Sequence, residues 1–391
     1  MGHRAVSRVA IVGIGNSRFG RRTDVNIGEL AFESIKQAID DSGVDRKDIS
    51  NVVVGSMGSW SEESLPAVVV NEYAGLSGVG TMRVEAACAS GSAALKSAYN
   101  SIQSGEGDIA MAVGVEKMTE VDSSTTVELI GRAGSYTWEF ENYGMTFPGY
   151  YALYAVAHMS RFGTTEEDMA RVAVKAHHYG AMNPLAQFQK EITLEKALGS
   201  QVVAWPLKLY DACPLTDGSA AVVLASEEVA KKLTDTPVWI KGVGYSSDSA
   251  NMSRRGSYVG LEAAVRAARS AYAMAKVTPG DIDVATAHDC FTIAELMAYE
   301  DLGFCKKGEA ASMIREGQTE IGGKIPVNLD GGLKAKGHPI GATGVSMAVE
   351  ITKQLRGEAG RHQAPIRNGV GLVHNIGGTG HYAYVTILSR S

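Results

Sequence analysis

The stretches VDRKDI (Val44–Ile49) and VTPGDI (Val277–Ile282) decide how this chain is read, because each joins a helical pattern to a strand pattern in the same order. Before the first, Arg8–Ile14 suits a buried strand and Ile27–Ser42 places Leu30, Ile35 and Ile39 at helical spacing. After it, Asn51–Gly55 reads as a further strand. Around the second stretch the order repeats: the strand VWIKGVG from Val238, a helix over Leu261–Ala275, then a strand over Ile282–Thr286. The echo continues, since a helix over Ala89–Ser104 leads into a strand at Asp108–Gly114, and a helix over Gly341–Arg356 leads into one at Gly369–Asn375. Each half then has a last strand, Ala220–Ser226 or His381–Leu388. Two repeats in one order predict a duplicated α/β protein.

In the first half that last strand is delayed by a segment rich in Met, Tyr and short helical patterns, which reads as an inserted cap. The expected division is residues 1–115 with 216–235 as the first half, 116–215 as the cap and 236–391 as the second half. Successive βαβ units favour mostly parallel sheets with helices on their faces and mixed edges. A chain of 391 residues with 45% hydrophobic residues and 45 glycines fits two or three packed units with many tight turns. A net charge of -6 gives no basic surplus for nucleic acid. No apolar run reaches membrane-spanning length, and the start MGHRAVSRVAIVGIG lacks an export signal, so a cytoplasmic protein is expected. GIGNSRFG near Gly13 lacks dinucleotide-binding spacing.

Four cysteines, Cys88, Cys213, Cys290 and Cys305, form no CxxC pair, which argues against a zinc ribbon or a disulfide scaffold. Cys88 stands out, in VEAACASGSAALKSAYNSIQSG. It lies just before a helix of small residues, where the helix dipole favours a thiolate and small neighbours leave room for substrate. The plain alternative is a buried core cysteine.

Cys88–Ser90 (CAS), Gly114–Glu120 (GVEKMTE), Cys213–Ser226 (CPLTDGSAAVVLAS), His288–Phe291 (HDCF) and Gly331–Gly344 (GGLKAKGHPIGATG) together resemble the thiolase family over essentially the whole chain. Two departures from the commoner members are informative: HDCF stands in place of NEAF, and His374-Asn375-Ile376 in place of a late CxG. Both are similar to thiolases of the sterol-carrier-protein type and their archaeal and bacterial relatives. The resemblance implies two α-β-α-β-α halves with mixed five-stranded sheets that meet at the active site under a loop domain.

It also implies an acyl-CoA C-acyltransferase that condenses two acetyl-CoA to acetoacetyl-CoA, or the reverse, through an acyl group on Cys88. Cleavage of longer 3-ketoacyl-CoA is the second reading. Decarboxylating condensation by a Cys-His-His set is a third, and a non-catalytic scaffold or lipid carrier a fourth. By the resemblance His338 is the base for Cys88, and Cys290 takes the acid/base role of the missing late cysteine. His288 replaces the NEAF asparagine and positions a water or donates to the thioester oxygen, while Asp289 is a turn residue or a support. Backbone N–H groups after Cys88 and around Ile376–Gly378, with Gly377 and Gly378 foremost, are the oxyanion candidates. Met145 and Phe147 in YGMTFPGYYALY are candidates for a pantetheine tunnel, against a plain core reading. Arg254, Arg255, Lys334 and Lys336 are either phosphate contacts or solvated charges; Cys213 and Cys305 read as structural.

No metal and no permanently bound cofactor is expected, with coenzyme A thioesters as substrates. A homodimer or dimer of dimers is implied, as is a complex with hydroxymethylglutaryl-CoA synthase and a small zinc-ribbon OB-fold protein.

Overall fold

The computed structural model describes residues 8–391, so the reading of the first residues, MGHRAVS, lies outside the described part. The first half opens with β1 (Val9–Asn16), buried along its whole length, and α1 (Ile27–Ser42). The side chain of Asn26 accepts the Glu29 N–H while Glu29 reaches back to the Asn26 N–H, and Gly43 ends the helix in the left-handed region. Then come β2 (Asn51–Gly55), α2 (Pro66–Tyr73), β3 (Gly80–Val84), α3 (Ser90–Ser104) and β4 (Ile109–Lys117).

Residues 118–216 follow as a long excursion. It holds α4 (Ser123–Gly131), a π-helical turn over Tyr136–Glu141, α5 (Phe147–Phe162), α6 (Glu166–Gly180), α7 (Leu194–Leu198) and the small pair β5 (Val202–Ala204) and β6 (Leu207–Lys208). The chain returns in β7 (Asp217–Ser226) and α8 (Glu227–Leu233). The second half comprises β8 (Val238–Ser247), α9 (Glu262–Ala275), β9 (Val284–Ala287), α10 (Thr292–Asp301), α11 (Ala310–Arg315), α12 (Ile340–Arg356), β10 (Val370–Gly377) and β11 (Tyr382–Ser389).

The strands align in the order β3-β2-β4-β7-β1-β8-β11-β10-β9. Read outward from the centre, β1-β7-β4-β2 and β8-β11-β10-β9 are the same sequence of elements, so the duplication is visible in space. The second half has four named strands, and a single parallel bridge from Ala285 to Val327 stands where β3 stands in the first. Among the described residues, β1 and β8 join the halves edge to edge at Ala10–Trp239 and Ile11–Val238.

The expected mostly parallel sheets are found only at the outer ends. β2 runs parallel to β3 and β4, and β9 to β10, while all other neighbours are antiparallel. The reason is the placement of the last strand of each half: β7 lies between β1 and β4, and β11 between β8 and β10, each antiparallel to both neighbours.

Helices α1 and α2 cover one outer face and α9 another, while α3 and α12 form a central layer against strands of both halves. These two central helices cross almost backbone to backbone: a Cβ at Gly91 would lie 2.8 Å from the Gly341 carbonyl oxygen and from the Gly344 nitrogen. Because they cross near their N-termini, the residues just ahead of each helix, Cys88 and His338, arrive at the same place.

Buried Glu116, at the end of β4, ties this layer down. Its carboxylate accepts from Ser56 Oγ (3.1 Å), the Met57 and Gly58 amides (2.9 and 3.0 Å), Trp60 Nε1 (3.0 Å) and the Gly341 amide (3.0 Å). Removing it strands several buried donors, each costing about 1–3 kcal/mol. Glu116→Ala is therefore expected to lower unfolding stability by about 3–5 kcal/mol. Urea denaturation checks this; a loss under about 1 kcal/mol contradicts the role.

Candidate active site

Cys88 sits in a tight turn between β3 and α3, and the sequence AACAS explains why it can. Ala87 is held at φ 49, a left-handed conformation unfavourable for a residue with a Cβ. Ser90 compensates, its Oγ donating to the Ala87 carbonyl (2.6 Å) and accepting the Ala86 amide (2.9 Å). The segment after β10 runs hard against this turn. A side chain at Gly377 would run into the Ala86 carbonyl, and the Gly378 amide, at φ 60, favours the charged form of the Cys88 thiol.

Cys88, His288 and His338 converge, with one sulfur or ring nitrogen of each within 4.8 Å of the others. The two imidazole rings meet edge to face, centroids 5.0 Å apart. Their hydrogen bonds assign opposite tautomers. Thr343 Oγ donates to the Pro339 carbonyl (2.9 Å), so it accepts the proton on His338 Nδ1 (2.7 Å). His338 Nε2 is then a bare acceptor, buried and without a partner. At His288 the situation is reversed: the Asn375 side-chain amide donates to Nδ1 (3.0 Å), which leaves the ring proton on Nε2. The same Asn375 nitrogen donates to the Cys88 carbonyl (3.0 Å), which fixes the orientation of the amide.

A zinc-like ion would need a bare nitrogen on both rings; here one ring accepts and the other donates, an arrangement suited to moving protons and holding an oxyanion. Burial dominates the electrostatics. It raises the Cys88 thiol to about 12 and lowers His338 to about 3. His288 is pushed well below its usual range by burial and then by His338 and His374. The thiolate expected from the helix dipole is therefore not the resting form: desolvation outweighs the dipole and the Gly378 amide, and the resting set is neutral.

Cys88, Cys290 and His338 line one cavity of about 210 Å³, walled otherwise by apolar groups including Met118, Phe147, Leu215 and Phe291. The Cys290 thiol is raised by burial and by the neighbouring Cys213 and Cys88, while the buried Tyr151 hydroxyl, itself without a hydrogen-bond partner, favours its charged form. Tyr151 is held by stacking on Phe291, centroids 4.5 Å apart. Of the two tunnel candidates, Phe147 is on the cavity wall, whereas Met145 is half-buried against the core and is not a lining residue.

Cys213, read as structural, also lines this cavity, and its amide donates to the Cys290 carbonyl (2.9 Å). Cys305 lies elsewhere, packed against the core. Asp289 is buried and accepts the Leu333 (2.7 Å) and Lys334 (3.3 Å) amides, supporting the GGLKAK segment.

Three of the four candidate phosphate charges are engaged in the interior. Lys334 donates to the Ala212 carbonyl, Lys336 pairs with Asp330, and Arg255 bonds Thr379, Tyr154 and the Ser249 carbonyl. Arg254 alone is exposed. A basic groove of about 620 Å³ is bordered by Arg18, His177, Lys190 and Lys196, with Lys334 of the four candidates also on its wall, and it shares Ala212, Cys213 and Pro214 with the cavity. Sequence reasoning missed Asn375, Thr343 and Tyr151. Thr343 lies inside GHPIGATG with its partners His338 and Pro339, whereas Asn375, in His374-Asn375-Ile376, has partners 287 and 87 residues away.

Residues 9–228 match the family described as "Thiolase, N-terminal domain", and residues 244–390 match "Thiolase C-terminal domain-like". The chain thus belongs to the thiolase family and is an acyltransferase of that family. Among its relatives, the acetyl-CoA acetyltransferase of Methanothermobacter thermautotrophicus is 44% identical over 98% of this chain and 99% of its own length. That of Methanocaldococcus jannaschii is 40% identical over 97% of this chain and 98% of its own. Human sterol carrier protein 2 is 33% identical over 95% of this chain and 70% of its own length. A solved structure named "Ltp2-ChsH2(DUF35) aldolase" superposes with a TM-score of 0.85 at 27% identity, covering 98% of both chains. Among the described residues no helix is long and apolar enough to cross a membrane.

Proposed function

We propose that this chain condenses two acetyl-CoA to acetoacetyl-CoA and coenzyme A, and runs the reverse thiolysis, through an acyl group on Cys88. The observation that carries this reading is the convergence of Cys88, His338 and Cys290 on one small cavity, with His288 beside them. The archaeal relatives named acetyl-CoA acetyltransferase support acetyl-CoA as the substrate.

Cys88 gives its proton to His338 Nε2 and adds to the thioester carbonyl, whose oxygen is held by the amides of Gly378 and Cys88. Coenzyme A leaves as thiolate and takes the proton of Cys290. Acyl-Cys88, a His338 imidazolium and a Cys290 thiolate are left. Cys290 removes the α-proton of a second acetyl-CoA while the imidazolium and His288 hold the enolate oxygen. The enolate attacks the acyl carbonyl, and the expelled Cys88 thiolate recovers its proton from His338. The neutral resting set supports this scheme, because charges arise only in pairs inside the cavity.

The basic groove beside Cys213 suits the nucleotide phosphates of coenzyme A, with the pantetheine passing Phe147 into the cavity. No permanently bound cofactor enters the scheme. The chain divides on this reading into residues 1–115 with 216–235, a cap at 116–215 and 236–391; the excursion between β4 and β7 supports that division. The edge strand β3 supports a homodimer by strand pairing, since its outer edge has no neighbour among the described strands. Association with a small DUF35-type protein and a hydroxymethylglutaryl-CoA synthase is supported by the name of the solved Ltp2-ChsH2(DUF35) structure only as far as the first partner.

The test is steady-state thiolysis across chain lengths. With acetoacetyl-CoA, kcat/KM should exceed that for 3-ketooctanoyl-CoA by about 10-fold or more, a difference in the range that added methylenes give in a hydrophobic pocket. The opposite order would replace this reading with a long-chain thiolase. A second reading, decarboxylating condensation, is favoured by the Cys88, His288 and His338 set alone.

A further inference from the structure

We infer that Asn375 is a positioning residue that sets the protonation of His288, making that ring a hydrogen-bond donor beside Cys88; the inference rests on the acyl-Cys88 reading given above. A neutral imidazole carries one proton, and what faces each nitrogen decides where it sits. Asn375 is fully buried on β10, and its amide nitrogen lies 3.0 Å from both the Cys88 carbonyl and His288 Nδ1. A carbonyl can only accept, so the nitrogen end of the amide must face it, and the second amide proton is directed at Nδ1. His288 Nδ1 therefore holds a lone pair and Nε2 holds the proton.

The opposite end of the amide argues against a purely structural role. Asn375 Oδ1 is buried without a hydrogen-bond partner. An unpaired buried acceptor is a cost that an apolar residue of similar size would avoid, so the donor end needs a use that offsets it. The use is local: the same side chain grips the nucleophile's own carbonyl and the ring beside it, one from each half of the chain. His338 and His288 are thereby held as an acceptor and a donor around the same sulfur. Without Asn375 nothing among the described contacts keeps His288 in that form: its backbone amide bonds His374 Nδ1 (3.4 Å), but its ring has no other hydrogen-bond partner.

The direct test needs no substitution at position 375. Solid-state 15N spectra of uniformly [15N]histidine-labelled full-length protein contain nine imidazoles, and His288→Asn identifies the signal to assign. A protonated Nε2 at His288 at pH 7 supports the inference, and a protonated Nδ1 overturns it. The second test compares Asn375→Asp with Asn375→Ala. A carboxylate can only accept, so it draws the ring proton to Nδ1 and removes the donor. Asn375→Asp is expected to lower kcat by about 100-fold or more with KM little changed, as when an oxyanion donor is lost. Asn375→Ala leaves both tautomers open and should cost about 10-fold, less than the full loss of an oxyanion donor. Equal losses in the two variants, with His288 still protonated on Nε2 in Asn375→Asp, would reduce Asn375 to a packing residue. Failure of the wild-type protein to be acylated by acetyl-CoA would remove the acyl-Cys88 reading while leaving the nitrogen assignment standing.

Discussion

Replacing Cys88 by alanine is expected to abolish acyl transfer, with turnover falling on the order of 10⁴-fold or more, because no other group can carry the intermediate. Incubation of the wild-type protein with radiolabelled acetyl-CoA, followed by acid quench, should leave label on the peptide containing Cys88, and Cys88→Ala should leave none. Label on Cys213 or Cys290 in its place would overturn the assignment, since both thiols share the cavity.

The same sulfur has a characteristic pH dependence. Burial holds the thiol at about 12 and His338 at about 3, so between these limits both are neutral and the thiolate fraction rises with pH. Alkylation of Cys88 by iodoacetamide should therefore accelerate by about 10-fold per pH unit from pH 7 to 9, in step with the thiolate fraction, without a plateau. A rate already level at pH 7 would mean a resting thiolate–imidazolium pair. That result would contradict the neutral set on which the proposed proton path is built.

How much of this was legible beforehand depends on whether a property is local. The helices over Ile27–Ser42 and Glu262–Ala275, and the two that precede β4 and β10, are visible in sequence because apolar spacing and repetition are local signals. Strand direction is not local: β7 and β11 lie antiparallel between strands that a βαβ reading would make parallel, and only their return path decides this. The candidate site divides in the same way. Cys88, His338 and Cys290 could be singled out from CAS, GHP and HDCF, but their meeting depends on the glycine contact between α3 and α12.

Burial is the term that sequence weighs worst. A helix N-terminus before Ser90 suggested a thiolate at Cys88, and desolvation reversed the expectation. The charges of Lys334 and Lys336 look solvent-facing in GGLKAKG, yet glycines let that segment fold inward until Asp330 and the Ala212 carbonyl hold both ammonium groups. Asn375 illustrates the remaining gap, because its partners lie 287 and 87 residues away along the chain.

Cys290→Ala should separate the two halves of the reaction and so decide between the competing chemistries. Proton exchange at the α-carbon of bound acetyl-CoA needs a base that can reach it, and Cys290 lines the same cavity as the nucleophile Cys88. Exchange of α-deuterium from labelled acetyl-CoA, and condensation to acetoacetyl-CoA, should fall by about 10³-fold, within the range for loss of a general base. Acylation of Cys88 in a single turnover should fall far less, by about 10-fold, because His338 can return its own proton to the departing coenzyme A thiolate. If the enzyme worked by decarboxylation, the enolate would form by loss of carbon dioxide and no α-proton would need removing. Condensation from malonyl-CoA would then survive Cys290→Ala and exceed condensation from acetyl-CoA in the unaltered protein. The neutral, buried state of Cys290 suits the first chemistry, since in thiolysis a protonated thiol must be ready to quench the enolate that Cys88 expels.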